Sequence, residues 1–370
     1  MADTTVSTAN RVKQWSKDVF NEYIRKNRFT RYMGTDQNSI IHLKENLAKK
    51  KGDAITFQLL NRLEGAGRTG NQALEGYEED ITNDGHEIGV SYLRHAVVIT
   101  LEEEQATDID FLNEAKAGLQ NWSRRKLRDH IITALMSING HAYLSSQTAG
   151  NTSYTDVATE THKDAWAVAN VDRVLFGAAI ANYNVDHSAA LLNIDNTADK
   201  LTPGMVSLAK RMAGVATPAI TPVTVGDDEE WYVMFCSTQA FRDLSQNSTM
   251  TQANRDAMAR GKDNPLFTGG DLMWDGVIIK EIKEIPVLTG VGNGAIDVNV
   301  NFLCGAQAVG IAWAKRTTPT VQTTDYHFRK GVGIMEMRGV EKLMFEDPGN
   351  VGSDVQHGVV TVYTAGVADS

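Results

Sequence analysis

The run Gly65-Ala66-Gly67-Arg68-Thr69-Gly70 has the G-x-G-x-x-G spacing that can wrap a pyrophosphate. That chemistry needs a strand directly before the first glycine and a helix opening at the third, so that amides and helix dipole face the phosphates. Here Asn61 to Glu64 intervene, and the following segment carries Glu75, Glu78, Glu79 and Asp80 without a helical apolar stripe. Carboxylates repel phosphate, so the glycines read as turn formers in a polar loop. Asp80-Ile81-Thr82-Asn83-Asp84-Gly85 starts like a calcium loop, but Thr82 replaces an acidic ligand and Ser91 stands at the twelfth position, where a Glu belongs. It reads as an Asn-Asp-Gly turn. The nine histidines include no H-E-x-x-H, which argues against zinc. Ser237 follows Cys236 with no base visible beside it, and neither G-x-S-x-G nor a P-loop occurs. No catalytic residue, cofactor or metal is assigned.

Arg124, Arg125, Lys126 and Arg128 form the best basic cluster outside the N-terminal segment. Such a run reads as a solvated helix face or a partner for a neighbour's acids; contact with nucleic acid is the other reading. The whole chain opposes general nucleic-acid binding, since its 370 residues carry a formal charge of −10 and phosphate affinity comes from clustered cations. The charge is uneven. Residues 1–51 hold eleven Lys/Arg against five Asp/Glu, whereas residues 64–87 hold seven acids against Arg68 alone. Trp15, Val19, Phe20, Tyr23 and Ile24 make an apolar stripe within the basic segment, which needs a surface to cover it. Trp15, Phe20, Arg25, Lys26 and Arg28 on the arm, with Arg62, Arg68, Glu75, Glu78, Glu79 and Asp80 on the loop, are therefore candidates for contact between copies. Two cysteines are too few for a disulfide framework, which points to synthesis in a reducing cytoplasm, and no apolar stretch is long enough to span a membrane.

The elements that would position these residues follow from periodicity. Ile55, Phe57 and Leu59 alternate with Thr56 and Gln58, and Ile88, Val90 and Tyr92 alternate with Gly89 and Ser91. Period two predicts strands over Ala54 to Leu60 and Glu87 to Leu101, each with one buried face. Between them lie about 25 polar, glycine-rich residues that cannot bury enough apolar surface to order themselves. A hairpin of that length needs a partner surface, usually another chain. One long helix is predicted from about Glu102 to Asn139, with Gly140 ending it. Residues 145–165 read as a loop. Thr202 and Pro203 open a helix through Met212, and Trp231 to Cys236 reads as a buried strand. Thr238 to Leu244 and Met250 to Arg260 read as helices. Val277 to Ile279, Ile282 to Leu288, Val298 to Leu303, Ala308 to Trp313, Tyr326 to Phe345 and Val359 to Tyr363 read as strands. The irregular interleaving favours α+β over a doubly wound sheet.

The order of basic arm, acidic-tipped hairpin, long helix and mixed second domain resembles a family of tailed-bacteriophage major capsid proteins. The phrases Lys51-Gly52-Asp53, Gly65-Ala66-Gly67-Arg68, Leu74-Glu75-Gly76, Asp172-Arg173-Val174-Leu175-Phe176-Gly177 and Asn264-Pro265-Leu266-Phe267 carry the resemblance. It implies a Hong Kong 97-like fold with an N-terminal arm over 1–50 and an extended loop (the E-loop) over 51–100. It also implies a peripheral domain over 101–195 and 325–370, whose spine is the helix at about 102–139, and an axial domain over 196–324. The implied function is a shell subunit that forms pentamers and hexamers of an icosahedral head around double-stranded DNA, made in the bacterial cytoplasm and residing in the virion. Implied partners are copies of itself, a portal, a separate scaffolding protein and a decoration protein; no membrane is involved. Residues 52–100 contain no lysine, so the lysine weld that some relatives form from this loop is not available. The alternatives are another phage structural protein, of tail or decoration type, and a small-molecule enzyme.

Overall fold

The computed structural model describes residues 27–45, 53–60, 65–79, 83–106, 110–225, 229–258, 272–347 and 350–367. A 3-10 turn (Arg28–Tyr32) leads into β1 (Met33–Gly34) and β2 (Ile41–Lys44). Next come β3 (Ala54–Leu60), β4 (Asn83–Gly89), β5 (Ser91–Thr100), α1 (Leu101–Ala106) and α2 (Phe111–Met136). The middle of the chain forms α3 (Glu160–Ala169), β6 (Val174–Phe176), α4 (His187–Leu192), α5 (Pro203–Val215), β7 (Val223–Val225), β8 (Glu229–Cys236), α6 (Thr238–Gln246) and α7 (Ser248–Met258). The last third is nearly all strand: β9 (Leu272–Trp274), β10 (Val277–Glu281), β11 (Asp297–Cys304), β12 (Val309–Thr324), β13 (Arg329–Lys342), β14 (Met344–Asp347), β15 (Asn350–Gln356) and β16 (Val359–Gly366). The expected α+β class holds.

Packing divides the chain into two units. One contains Leu93–Lys126 and Arg316–Glu336; the other contains Arg28–Tyr92, Leu127–Lys315 and Met337–Ser370. The larger unit is built on a mixed sheet in the order β6-β16-β11-β8-β10-β9, with β7 on β8. Its central strands are buried on both faces. Met205, Val206, Ala209, Ala240 and Leu244 cover one side, and Ile131, Ile132, Leu135, Trp166 and Phe176 belong to the cluster on the other. A doubly covered strand reads as a continuous apolar run, which is why Trp231 to Cys236 was legible. Asn299 and Asn301 are buried on β11, yet Asn299 donates to the Ala365 carbonyl at 3.2 Å and Asn301 to Thr364 Oγ1 at 3.0 Å. Both amide nitrogens therefore bond the neighbouring strand, although Asn299 Oδ1 has no hydrogen-bond donor among the described residues. Both cysteines are buried and free, and burial raises their thiol pKa values.

In the smaller unit Leu112, Leu119 and Trp122 of α2 pack on Val332 and Ile334 of β13. Lys330 pairs with Glu104 at 2.6 Å, and the Leu101 amide donates to the Phe328 carbonyl at 2.9 Å.

Several boundaries differ from the periodicity. The helix expected over about 102–139 is two helices, because Asp110 Oδ1 accepts the Asn113 amide at 3.2 Å and so caps a new start. Residues 107–109 lie outside the described residues. The far end stops at Met136, and Asn139 (φ 44°) and Gly140 (φ 76°) form a tight turn that bridges Ile138 to His141, as Asn-Gly does in hairpins. The loop expected over 145–165 ends early, because Thr159 caps α3 by accepting from the His162 amide at 3.4 Å. Ile282 to Leu288 is not a strand. Tyr92 is 59% exposed and Leu93 is buried instead; the alternation slips by one residue after Val90, where β4 gives way to β5.

Candidate assembly interface

The β3–β4 hairpin pairs Ala54 with Gly89 through Leu60 with Asn83. Its apolar face, Ile55, Phe57, Ile88 and Val90, packs with Ala312, Leu343 and Phe345. Thr56 and Gln58 are exposed on the other face, as the alternation predicts. Two side chains pin the base: His86 Nε2 lies 3.3 Å from Glu341 Oε2, and Asp84 Oδ2 accepts the Glu346 amide at 2.5 Å. Asn83, Asp84 and Gly85 therefore belong to a strand and not to the expected turn. The ladder to β3 and the long-range bond from Asp84 outweigh their local turn preference.

Above this base, every residue from 65 to 79 is exposed. Local bonds link residues of the tip. Gly65 N–H donates to Glu79 Oε2 at 2.7 Å, Gly76 N–H donates to Glu78 Oε2 at 2.7 Å, and the Tyr77 amide donates to the Leu74 carbonyl at 3.0 Å. The Arg68 guanidinium sits 3.4 Å from the centroid of the Tyr77 ring, a cation–π contact that folds the two sides of the tip together. Gly67, Gly70 and Gly76 take positive φ. Leu74 and Tyr77 stay 60% and 65% exposed. The G-x-G-x-x-G run is thus a turn-rich loop with no helix behind it. Glu75 projects with Glu78 and Glu79, so the tip presents carboxylates beside two unburied apolar groups.

The remaining candidates fall in different places. Trp15, Phe20, Arg25, Lys26, Arg62 and Asp80 lie outside the described residues. Arg28 donates to the Glu281 carbonyl at 2.7 Å, within its own chain. On α2, Arg124 and Arg125 are exposed and Lys126 is half-buried. Arg128 is a correction. It is buried, donating to Glu284 Oε1 at 2.9 Å and to Asp129 Oδ1 at 2.9 Å, so it does not face DNA. Four residues along a helix is slightly more than one turn, and only the tertiary packing shows that this position faces inward.

Tyr326, expected inside a strand pair, instead lies at the tip of the β12–β13 hairpin: Asp325, Tyr326 and His327 all have positive φ and Tyr326 is fully exposed. Asp325 before a break in the apolar run was the available signal.

Other polar groups have structural partners. Glu160, Asp164 and Asp186 approach within 4.8 Å of one another. Each already serves the fold: Glu160 pairs with Lys163 at 3.2 Å, Asp164 accepts the His187 amide at 2.8 Å, and Asp186 accepts the Ala189 amide at 3.0 Å. Ser237 caps α6 through the Ala240 amide. His187, held to about pKa 4 by burial, lies 3.3 Å from the Tyr363 hydroxyl inside the core. Among the described residues no helix is long and apolar enough to cross a membrane.

The comparisons agree with this arrangement. A family model described as "Phage capsid protein" matches residues 3–368. The major capsid protein of Pseudomonas phage KPP25 is 26% identical over 349 residues, covering 90% of this chain and 89% of its own. The solved capsid asymmetric unit of Cyanophage Pam1 is 34% identical with a TM-score of 0.87, and the capsid of Ralstonia phage GP4 is 21% identical with a TM-score of 0.75, each covering all of both chains. The chain therefore belongs to the phage capsid protein family, has its Hong Kong 97-like α+β fold, and is a shell-forming subunit of a phage virion.

Proposed function

We propose that this subunit forms the pentamers and hexamers of an icosahedral head around double-stranded DNA, and that it does so through the hairpin of residues 51–100 laid over a neighbour. The observation that carries this reading is the tip: 15 consecutive described residues, 65–79, are all exposed. Exposed apolar side chains such as Leu74 and Tyr77 gain most by burial against another copy. The segments 1–50, 101–195 with 325–370, and 196–324 then act as arm, peripheral domain and axial domain. The portal and a scaffolding protein are the expected assembly partners, and a decoration protein is a further one. The subunit has no catalytic role. DNA contact is non-specific, through Arg124, Arg125, Lys126 or the arm, repeated over many copies so that weak individual affinity suffices.

Deleting Gly65 to Glu79 tests the reading. The subunit should fold and stay soluble, while electron micrographs show no closed shells. Normal shells from the deleted chain would refute it.

A further inference from the structure

Two buried glycines, Gly310 of β12 and Gly339 of β13, lie on neighbouring strands beneath one side chain of the β3–β4 hairpin, Ile88. A Cβ at Gly310 would stand 2.6 Å from Ile88 Cδ1, 2.9 Å from Leu343 Cδ2 and 3.1 Å from Phe57 Cζ. A Cβ at Gly339 would collide with the Gly89 carbonyl oxygen and stand 2.8 Å from Ile88 Cγ2. Neither glycine takes a positive φ, so space and not backbone conformation asks for it. Glycine weakens a strand interior, and its use there marks a place where another segment comes close. The ribbon that comes close is also pinned by polar groups: His86 lies against Glu341, and Asp84 accepts the Glu346 amide.

We propose that Gly310 and Gly339 are positioning residues for assembly: by letting the ribbon lie flush on β12 and β13, they fix the direction in which the 65–79 tip leaves the body. The inference rests on the reading that the hairpin engages a neighbour, and it adds what aims the hairpin. Ordinary carbon contacts lie at about 3.5–4.0 Å, so a methyl at Gly310 must lift Ile88 by about 1 Å. The close-packed cluster of Phe57, Ile88 and Leu343 has little room to absorb that lift. Pivoting on the His86 pin, two residues or ~7 Å away, it swings Asn83 by ~1.5 Å and the tip beyond by more.

The first test uses unassembled full-length subunits with spin labels on Leu74→Cys and Val215→Cys. Both positions are exposed and both native cysteines are buried. Pulsed electron resonance then reads the distance from tip to body. Gly310→Ala should shift or broaden that distance, and adding Ile88→Val, which deletes the colliding Cδ1, should return it toward wild type. Ala312→Val, at the next same-face position of β12 and in the same cluster, lifts the ribbon by a second route should Gly310→Ala not fold. A folded, overpacked subunit that keeps the wild-type distance would overturn the proposal.

Assembly of the unlabelled chains is the second measurement. Gly310→Ala should lower the yield of closed shells of wild-type diameter by roughly tenfold, and Ile88→Val should restore most of it. Gly177→Ala is crowded by Asp199 and Asn182 instead; its folded subunits should give shells of wild-type diameter. An equal loss in Gly177→Ala would reduce the effect to subunit stability and overturn the positioning role. A displaced tip with normal shells would also overturn it, leaving the tip deletion to decide the shell reading separately.

Discussion

The Lys342 ammonium donates to the Ser137 carbonyl at 2.6 Å, just beyond the end of α2, with further bonds to the Leu135 carbonyl at 3.3 Å and Gln356 Oε1 at 3.1 Å. Three donors thus meet three acceptors where α2 ends in unpaired carbonyls. The group is fully buried and none of these three partners is a carboxylate. Desolvation therefore holds its pKa down to about 7 from the usual 10.5, with Cys304 acting in the opposite sense.

The sign of the linkage follows. Between pH 7 and 10.5 the unfolded chain binds a proton at Lys342 that the folded chain has released, so this group makes stability rise with pH, by up to ~1.4 kcal/mol per pH unit across that window. Below pH 7 the cost of burying the charge is fully present. Thermal melts of wild type and Lys342→Met at pH 7 and 9 should show the wild type gaining relative to the variant. Parallel pH dependences would contradict this.

Gly177 is held at φ +64°, and a Cβ there would collide with the Asp199 carboxylate. That carboxylate is buried and accepts the amides of Ala178 at 2.7 Å and Asp195 at 2.8 Å, so it cannot yield without breaking both bonds. Gly177→Ala should cost at least ~2 kcal/mol, combining backbone strain with a lost bond, read from the urea midpoint of the unassembled subunit. An unchanged midpoint would show that the loop relaxes freely.

Arg128 and Arg125 should separate cleanly. Arg128→Ala removes its bonds to Glu284 and Asp129 and should lower subunit stability by ~1–3 kcal/mol without changing DNA retention. Arg125→Ala, on an exposed position, should stay within ~0.5 kcal/mol of wild type. The reverse order in denaturation curves would mean that the buried pair contributes nothing.

The arm should act mainly through its apolar stripe. Burying an aromatic side chain is worth ~1.5–3 kcal/mol, against ~0.2–1 kcal/mol for an exposed ion pair. Trp15→Ala with Phe20→Ala should therefore reduce shell yield more than Arg25→Ala with Lys26→Ala. Shell counts by electron microscopy decide the ranking.

Unassembled subunits should bind duplex DNA weakly and without sequence preference. Binding measured at about 50 and 200 mM salt should fall steeply, as counterion release requires. Tight binding that survives the higher salt and distinguishes two sequences would point to a nucleic-acid-processing role instead.

What could be read from residues alone was local. Alternation of Ile55, Phe57 and Leu59 with Thr56 and Gln58 located β3, because a half-buried strand repeats every two residues. Thr202 and Pro203 located the start of α5, because capping is settled within one turn: Thr202 accepts the Met205 amide there. The polarity of residues 65–79 established that they have no core of their own.

Tertiary structure decided whatever depended on distant partners. Asn83-Asp84-Gly85 has turn chemistry but joins β4, because Glu346 supplies an amide 262 positions away. Arg128 has the composition of a surface cluster but turns inward, because Glu284 waits 156 positions downstream. Periodicity and caps act within one or two turns of chain, so a sequence displays them directly. Which charge is buried depends on contacts that exist only once strands hundreds of residues apart are packed together.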